Sequence, residues 1–287
     1  MTALAPAIWG TTYLVTTILP PERPLLASVL RALPAGLVLL AATRRLPTGH
    51  WWWRSALLGM LNVGAFFPLL FFAAYRLPGG VAAIVGAIQP LIVAALSALV
   101  LRVGTPPLRL AAAVAGAGGV ALLTLTSAAR LDPWGIAAMT TATGCMGTAI
   151  VLGKRWGGAV APLRMAAWQL TAGGIVLLPL TLTVEGLPPA LSGLNVLGYG
   201  YLTVVGGAIS YGLWFRGVER LSATSVSLLG LGSPVVATLI GFLVLGQLLT
   251  GWQLVGFTLA LGALVVGQLA GSRPRVVAPP APELVSR

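Results

Sequence analysis

Two uncharged stretches decide how this chain folds: GGVAAIVGAIQPLIVAALSALVL at residues 79–101 and ATSVSLLGLGSPVVATLIGFLVL at residues 223–245. Each is 23 residues long, and a helix needs about 20 apolar residues to cross the hydrocarbon core of a bilayer. Neither stretch alternates polar with apolar residues as a barrel strand would. Each carries a proline at its centre, Pro90 in the first and Pro234 in the second. The two stretches therefore predict a pair of membrane helices that share an unusual feature.

The rest of the chain has the same apolar character. Of 287 residues, 57% are apolar and only 8% are charged, and the mean hydropathy is +0.97. A soluble domain carries about 25% charged residues because water must wet its surface, so most of this surface faces lipid. We predict an all-α membrane protein with ten transmembrane helices, at residues 3–19, 25–43, 53–75, 79–101, 108–127, 133–153, 163–184, 194–215, 223–246 and 251–270.

Basic residues are concentrated in alternate connections. With the N-terminus in the cytoplasm, thirteen Arg and Lys residues fall on the inner side and three, Arg23, Arg76 and Arg130, on the outer side. Cytoplasmic loops of membrane proteins carry this excess. The bias predicts a multi-pass protein of the cytoplasmic (inner) membrane with both termini in the cytoplasm. The net charge of +12 does not indicate nucleic-acid binding, because the basic residues form no stripe.

An internal repeat divides the spans into two groups of five. A shift of 144 residues, which we call the repeat shift, aligns Leu77 with Leu221, Pro90 with Pro234 and Gly118 with Gly262, and a slightly shorter shift aligns Gly10 with Gly147 and Gly36 with Gly174. Because five is odd, the second group enters the membrane from the opposite face. The sequence predicts two inverted five-helix repeats, at residues 1–129 and 130–271, followed by a disordered cytoplasmic tail at 272–287. Such inverted repeats build transporters that bind substrate between their halves.

Several short motifs carry a resemblance to a known family. They are Trp9-Gly10-Thr11-Thr12, Leu30-Arg31-Ala32-Leu33, Ala73-Ala74-Tyr75-Arg76-Leu77, Gln89-Pro90, Trp168-Gln169-Leu170, Tyr211-Gly212-Leu213-Trp214-Phe215-Arg216 and Ser233-Pro234. Together they make residues 1–270 resemble the EamA-like branch of the drug/metabolite transporter superfamily, and this resemblance implies an exporter. The stretches at 5–13 and 75–80 look like its PecM-type subgroup, associated with export of the flat bipyridyl pigment indigoidine. The glutamates common in that family after the fourth and ninth spans are absent at 102–104 and 246–247.

Candidate residues for a substrate cavity are polar or aromatic groups placed inside spans, together with the two central prolines. They are Trp9, Thr12, Tyr13, Arg31, Asn62, Phe66, Gln89, Pro90, Trp168, Gln169, Ser210, Tyr211, Trp214, Ser233 and Pro234. A proline inside a span frees a carbonyl one turn earlier, and that carbonyl needs a partner or a water-lined cavity. Aromatic faces bind flat molecules well.

Several of these candidates have a second interpretation. Arg31 costs about 2.5–3.5 kcal/mol inside the hydrocarbon core, so it either faces a cavity or extends to the interface. In the alternative to a cavity, the prolines only shape helix packing, Asn62 forms an interhelical hydrogen bond, and the tryptophans inside spans contact lipid or take part in helix packing. Trp51, Trp52, Trp53 and Trp252 lie at span ends and indicate an interfacial aromatic belt.

The few acidic residues exclude several functions. Glu22, Asp132, Glu185, Glu219 and Glu283 all fall outside the spans, and the single histidine, His50, lies in a loop. We therefore predict no carboxylate proton-coupling site within the spans, no metal site, no cofactor and no enzyme activity. The predicted function is export of a small, planar or aromatic metabolite across the bilayer by a secondary transporter with alternating access. The alternatives are a passive facilitator or channel for amino-acid-like metabolites and a non-transporting membrane scaffold.

Overall fold

The computed structural model describes residues 1–16, 18–20, 23–77, 79–124, 132–157, 160–188, 190–245 and 250–270, and all regular structure within them is helical. The α-helices are α1 (Leu4–Thr16), α2 (Pro24–Thr43), α3 (Trp51–Gly59), α4 (Phe66–Arg76), α5 (Gly79–Ala87), α6 (Gln89–Leu96), α7 (Pro107–Thr124), α8 (Pro133–Trp156), α9 (Pro162–Val184), α10 (Gly193–Thr203), α11 (Ser210–Arg220), α12 (Ala223–Leu229), α13 (Gly232–Leu245) and α14 (Gly251–Leu269). Three π-helical segments join or extend them, at Met60–Ala65, Ser97–Leu101 and Val204–Ile209. The predicted tail at 272–287 lies outside the described residues.

Nine helical runs in the described ranges are long and apolar enough to cross a membrane. They are Pro24–Thr43, Trp51–Leu70, Val81–Leu101, Pro107–Thr124, Pro133–Trp156, Pro162–Val184, Gly193–Arg220, Ala223–Val244 and Gly251–Leu269. The first predicted span corresponds to α1, which has 13 described residues and is shorter than the roughly 20 that a full crossing needs. The all-α membrane architecture is confirmed, and the tenth span stays a prediction.

Helical elements recur at positions related by the repeat shift. The matching pairs are Met60–Ala65 with Val204–Ile209, α4 with α11, the starts of α5 and α12 at 79 and 223, and the starts of α7 and α14 at 107 and 251. π-Helical turns are rare and mark local rearrangements of the helical hydrogen bonds. The repeat shift therefore relates backbone conformations as well as residue types, since it aligns two π-helical segments.

Helices α7 and α14 pack side by side and run in opposite directions. Arg109, near the start of α7, donates from Nε to the carbonyl of Gly267 near the end of α14, at 3.2 Å. Gln253, near the start of α14, donates from Nε2 to the carbonyl of Leu123 near the end of α7, at 3.3 Å. The repeat shift aligns Arg109 with Gln253, and it aligns Leu123 with Gly267. The two hydrogen bonds are thus equivalent contacts at opposite ends of one helix pair.

Helices α2 and α9 form the second antiparallel pair, and two glycines make their close approach possible. A Cβ atom on Gly36 would lie 2.5 Å from the backbone nitrogen of Thr171, and one on Gly174 would lie 2.6 Å from Cβ of Leu33. Small residues allow such close packing between membrane helices. The two glycines that the sequence repeat aligns therefore lie at the same crossing.

The ends of this pair define the two ends of the bundle. At the first, which we call the Glu185 end, the carboxylate of Glu185 accepts from the backbone N–H groups of Leu25 and Leu26 at 2.7 and 2.9 Å. At the second, which we call the Arg54 end, Trp168 Nε1 donates to the carbonyl of Arg45 at 2.7 Å. A carboxylate at a helix N-terminus is stabilised by the free N–H groups and the helix dipole, so Glu185 fixes the start of α2.

Two helices pack mainly on elements that are distant in sequence. Helix α1 packs on α13 and α11, whereas α8 packs on α4, α5 and α6. Gly10 in α1 approaches the carbonyl of Ser233 so closely that a Cβ atom would lie 2.7 Å away. The main apolar core is formed chiefly by α2, α8, α9, α11 and α12. The centre of the molecule is therefore built from both halves of the chain.

Both proline-containing spans are interrupted in the middle. Helix α5 ends at Ala87 and α6 begins at Gln89, with a turn at Ile88 whose N–H bonds to Val85. The second break lies at residues 230–231, between α12 and α13, where each N–H bonds three residues back instead of four. Proline cannot donate to the helical ladder, which accounts for a break close to Pro90 and to Pro234.

Candidate substrate site

Several side chains of the candidate site donate hydrogen bonds to one acceptor, the backbone carbonyl of Gly206. In a regular α-helix this carbonyl would accept from the N–H of Ser210, but that N–H is directed to Gly207 and Val205 in the π-helical segment. The Gly206 carbonyl accepts instead from Arg31, through Nε at 3.2 Å and Nη2 at 3.0 Å. It also accepts from Trp9 Nε1 at 3.3 Å and from the Ser210 hydroxyl.

Aromatic rings surround this acceptor. The Trp9 indole lies 5.3 Å from the Tyr211 ring and 5.0 Å from the Trp214 ring, centroid to centroid, and its Nε1 also donates to Ser210 Oγ at 2.9 Å. The Arg31 guanidinium carbon lies 5.6 Å from the centre of the Phe67 ring. Tyr211 and Trp214 are buried, whereas Trp9 and Arg31 are half-buried. Trp9 and Arg31 are therefore the members of this cluster with surface left to contact a ligand.

A second polar contact joins the positions that the repeat aligns with Gly206 and Arg31. Asn62 Nδ2 donates to Gln169 Oε1 at 2.8 Å, and both side chains are buried. The shift that aligns Gly36 with Gly174 aligns Arg31 with Gln169, and the repeat shift aligns Asn62 with Gly206. Gln169 Nε2 is buried and has no hydrogen-bond partner. The first contact thus presents a cation and a carbonyl, and the second presents two amides, one of which has an N–H donor without an acceptor.

Other predicted residues of the first and third spans lie near these contacts. Thr12 lies three residues after Trp9, and its hydroxyl is buried without a partner. Phe66 follows Asn62 by one turn, and its ring lies 5.6 Å from that of Phe67. The side chain of Tyr13 lies outside the described residues.

The two helix breaks meet each other, and one predicted residue, Gln89, lies at the contact. Helix α6 packs on α12, and Gln89 Oε1 lies 3.5 Å from the position that a Cβ atom on Gly230 would take. Gln89 and Pro90 are buried, and Pro234 and Ser233 are half-buried. The two breaks are therefore in contact through Gln89 and Gly230.

The structure does not bring Trp168 into this region. Its ring lies 5.9 Å from Trp51, and its Nε1 bonds to the Arg45 carbonyl at the Arg54 end. The position one residue further, Gln169, faces the third span instead. Neighbouring residues on a helix point in different directions, and lipid and protein surroundings are both apolar. The sequence therefore did not indicate which of the two faces the centre.

Gly206 and Glu185 are the residues that sequence analysis missed. A backbone carbonyl leaves no side-chain signature, although the repeat shift aligns Gly206 with the candidate Asn62, and that alignment was the available signal. The sequence indicates Glu185 only as an acid outside the spans. Described carboxylates lie at helix ends: Glu185 at α2, Asp132 at the start of α8, where it accepts from Gly135 and lies 3.5 Å from Arg76, and Glu219 near the end of α11. In the described ranges, no group of three His, Cys, Asp or Glu residues is placed to hold a metal ion.

A groove of about 540 Å³ lies beside the Gly206 segment, between α2, α9 and α11. Its lining is mostly apolar, with Leu39, Leu163 and Ala208 on its walls and Arg216 and Glu219 toward the Arg54 end. This volume falls in the range of small-molecule sites, about 300–1,000 Å³. The groove is open to the lipid-facing side, since Leu163 is 42% exposed.

A double-mutant cycle separates a structural role of the amide contact from a role in binding. We expect Asn62→Leu to lower the free energy of unfolding by about 1–2 kcal/mol, because it leaves both polar atoms of the buried Gln169 amide unpartnered. The double variant Asn62→Leu/Gln169→Leu should recover most of that loss, since neither polar group remains. Chemical denaturation in detergent measures both. Transport should stay impaired in the double variant, and full recovery of transport would assign the pair to helix packing alone.

Comparison with known proteins places this geometry in a family. The sequence matches the model of the EamA-like transporter family over residues 1–125 and 133–267. It is 48% identical over 267 residues to Protein PecM of Dickeya dadantii (strain 3937), which covers 92% of this chain and 90% of that protein. It is 28% identical over 266 residues to the uncharacterized inner membrane transporter YedA of Escherichia coli (strain K12), covering 90% and 85% of the two chains.

A solved structure has the same fold. A protein of known crystal structure superimposes with a TM-score of 0.80 at 20% identity, over 94% of this chain and 96% of that chain. The family model and the name of the Escherichia coli relative describe transporters, in agreement with the helical membrane architecture. The chain therefore belongs to the EamA-like transporter family.

Proposed function

We propose that this transporter exports a small, planar or aromatic metabolite by alternating access, with the substrate held between two inverted five-helix halves. The observation that carries the proposal is the pair of equivalent contacts at the centre, Arg31 with the Gly206 carbonyl and Gln169 with Asn62. A transporter that alternates needs a site reached from both halves. These four residues come from both halves and lie on four different spans.

The directions of paired helices support the inverted repeat, in addition to the repeat shift in the sequence. Equivalent helices pack against each other in antiparallel pairs, α2 with α9 and α7 with α14. The interrupted spans, α5–α6 and α12–α13, also correspond under the repeat shift. Discontinuous helices in corresponding positions of two halves are typical of substrate sites in secondary transporters. We place the boundary between the halves at 129–130.

The chemistry of the cluster favours a flat substrate with hydrogen-bond acceptors. Trp9 offers an indole face, and flat rings stack well on such faces. Arg31 and Gln169 offer N–H donors, and guanidinium groups recognise carbonyl and carboxylate oxygens in one plane. Arg31 brings a positive charge into this cluster, which favours neutral and anionic substrates over cations. We therefore propose a neutral or anionic conjugated metabolite.

We further propose that the Arg54 end faces the cytoplasm and that both termini lie there, in the cytoplasmic (inner) membrane. The support is the charge bias, with thirteen basic residues assigned to that side against three. Reporter fusions that fluoresce only in the cytoplasm test this at positions 104 and 187, in loops at opposite ends. We expect a signal at 104 and none at 187, and the reverse would invert the orientation.

Counterflow in proteoliposomes tests the transport proposal. Vesicles preloaded with a planar heteroaromatic amide should transiently accumulate the labelled compound from outside, because a carrier exchanges substrate faster than it returns empty. Aliphatic amino acids and quaternary aromatic cations serve as comparison compounds. Equilibration without accumulation would indicate a passive facilitator, accumulation of amino acids would reassign the substrate class, and absence of flux for every compound would favour a scaffold.

A further inference from the structure

Arg54 at the start of α3 lies in a cage of three indoles. Its guanidinium carbon is 5.6 Å from the Trp51 and Trp53 rings and 5.4 Å from the Trp156 ring. The Trp53 and Trp156 rings meet edge to face at 5.1 Å. Cations are attracted to indole faces within about 6 Å. The cage therefore joins the start of α3 to the end of α8 around one positive charge.

This charge has no counter-ion within the described part of the chain. Arg54 makes no side-chain hydrogen bond or ion pair there, and its Nε is buried without a partner. Indole faces satisfy the guanidinium planes but not its N–H edges, which require oxygen acceptors. A buried donor without an acceptor is costly. The indole rings thus cover the guanidinium faces, and its N–H donors have no oxygen acceptor in the described part of the chain.

The surroundings of the cage are basic and lie at the depth of a membrane interface. Arg44, Arg45 and Arg155 are exposed at the same end, and Trp52 and Trp53 are 58% and 50% exposed. Tryptophan is enriched where hydrocarbon meets headgroups. Anionic headgroups are therefore the negatively charged groups that this surface meets in a bilayer.

The Glu185 end differs in both respects. The two cations described there have protein partners: Arg23 donates to the carbonyl of Leu187 at 2.8 Å, and Arg76 lies 3.5 Å from Asp132. The positions equivalent to 51–54 under the repeat shift are Asn195-Val196-Leu197-Gly198, with no indole and no cation. The cage is therefore a feature of one end only and does not follow from the repeat.

We propose that Arg54, held by Trp51, Trp53 and Trp156, binds the phosphate of an anionic phospholipid in the leaflet at the Arg54 end. The two Nη groups supply paired N–H donors that match two phosphate oxygens, and the indoles hold the guanidinium plane toward the headgroup layer. Neighbouring arginines add long-range attraction to anionic lipid. This site is separate from the substrate site and requires only the membrane placement.

Native mass spectrometry of the full chain in detergent, with titrated phosphatidylglycerol, tests the proposal. We expect Arg54→Gln to weaken binding of the first lipid at least about ten-fold, the effect of losing a direct hydrogen bond between two charged groups. Arg155→Gln, which removes the same charge from an exposed position at the same end, should weaken it less than two-fold. Arg54→Lys keeps the charge but loses the planar fork and should fall between the two. Thermal melts establish that the variants are folded.

Phosphatidylcholine and glycerol phosphate serve as the comparison ligands. Phosphatidylcholine should bind several-fold more weakly than phosphatidylglycerol, because its headgroup carries no net charge. Glycerol phosphate should not displace the lipid at equal concentration. Equal effects of Arg54→Gln and Arg155→Gln would overturn the proposal in favour of general attraction to charge. Displacement by glycerol phosphate would overturn it in favour of a site for free phosphate.

Discussion

Replacing Arg31 with glutamine is expected to reduce the transport rate about 10- to 100-fold while the protein still folds. The variant loses the charge and the forked contact to the Gly206 carbonyl, which has donor atoms at 3.0 and 3.2 Å, and a hydrogen bond from a charged donor is worth about 1.5–3 kcal/mol. It also gives position 31 the same residue type as Gln169, with which the repeat aligns it. Counterflow at several substrate concentrations measures the effect.

Arg109 provides a matched control for this substitution. It is buried, with 6% of its surface exposed, and it also donates to a backbone carbonyl, that of Gly267. Its equivalent in the other half, Gln253, already makes the corresponding contact with an amide. Arg109→Gln should therefore retain most transport. Equal loss in the two variants would assign Arg31 to general helix packing, and full activity of Arg31→Gln would remove it from the substrate site.

Adding a single methyl group at the crossing of α2 and α9 should destabilise the protein strongly. Gly36→Ala and Gly174→Ala each place a Cβ atom within 2.5–2.6 Å of the partner helix, closer than any relaxed contact. The helices must separate, and overpacking of this kind costs about 1–3 kcal/mol or more. Denaturant titration in detergent should show lower midpoints for both variants.

Two other helical glycines make the comparison specific. Gly118 in α7 and Gly262 in α14, which the repeat shift aligns, have no atom within 4 Å of an added Cβ. Alanine there should leave stability unchanged or raise it by up to about 1 kcal/mol, because alanine is the better helix former. If Gly36→Ala proved as stable as Gly118→Ala, the close approach of α2 and α9 would not hold the fold together.

The sequence predicted the parts of this fold that follow from solvent and covalent chemistry. Hydropathy predicted ten spans, and nine helical runs in the described residues are long enough to cross a membrane. Pro90 and Pro234 predicted the interruptions of two of them, because proline cannot complete the helical ladder. The alignment of Gly36 with Gly174 was evidence for the repeat, and the structure shows that both glycines lie where α2 crosses α9. The length of the first helix is less evident from the sequence. The apolar run predicts one span at 3–19, and the structure describes helix α1 at Leu4–Thr16.

The candidate site was predicted less completely, for a physical reason. The structure brings together Trp9, Arg31, Ser210, Tyr211 and Trp214, and pairs Asn62 with Gln169, all from the predicted set. Trp168 lies at the Arg54 end instead. The sequence did not reveal this, because lipid and protein are both apolar and the sequence of a membrane helix does not show which face meets which. The Gly206 carbonyl was missed because it becomes available through a π-helical turn, which has no residue signature.

Alternating access itself is tested most directly by locking one end and measuring accessibility from the other. In a Cys145→Ser background, Thr12→Cys reports on the centre, and oxidised Ile18→Cys/Asn195→Cys closes the Glu185 end, where Asn195 contacts the Ile18 carbonyl at 2.7 Å. Thr105→Cys/Thr224→Cys, whose native hydroxyls lie 3.4 Å apart, closes the Arg54 end.

A charged thiol reagent that cannot cross the bilayer is then applied from each side of the membrane. If closing one end shifts the population toward the state open at the other, the Glu185-end lock should speed labelling from the Arg54 end above the unlocked rate. The Arg54-end lock should do the reverse. Locks that leave the rate from the open side unchanged, or lower it, would contradict alternating access and indicate a pore with two independent gates.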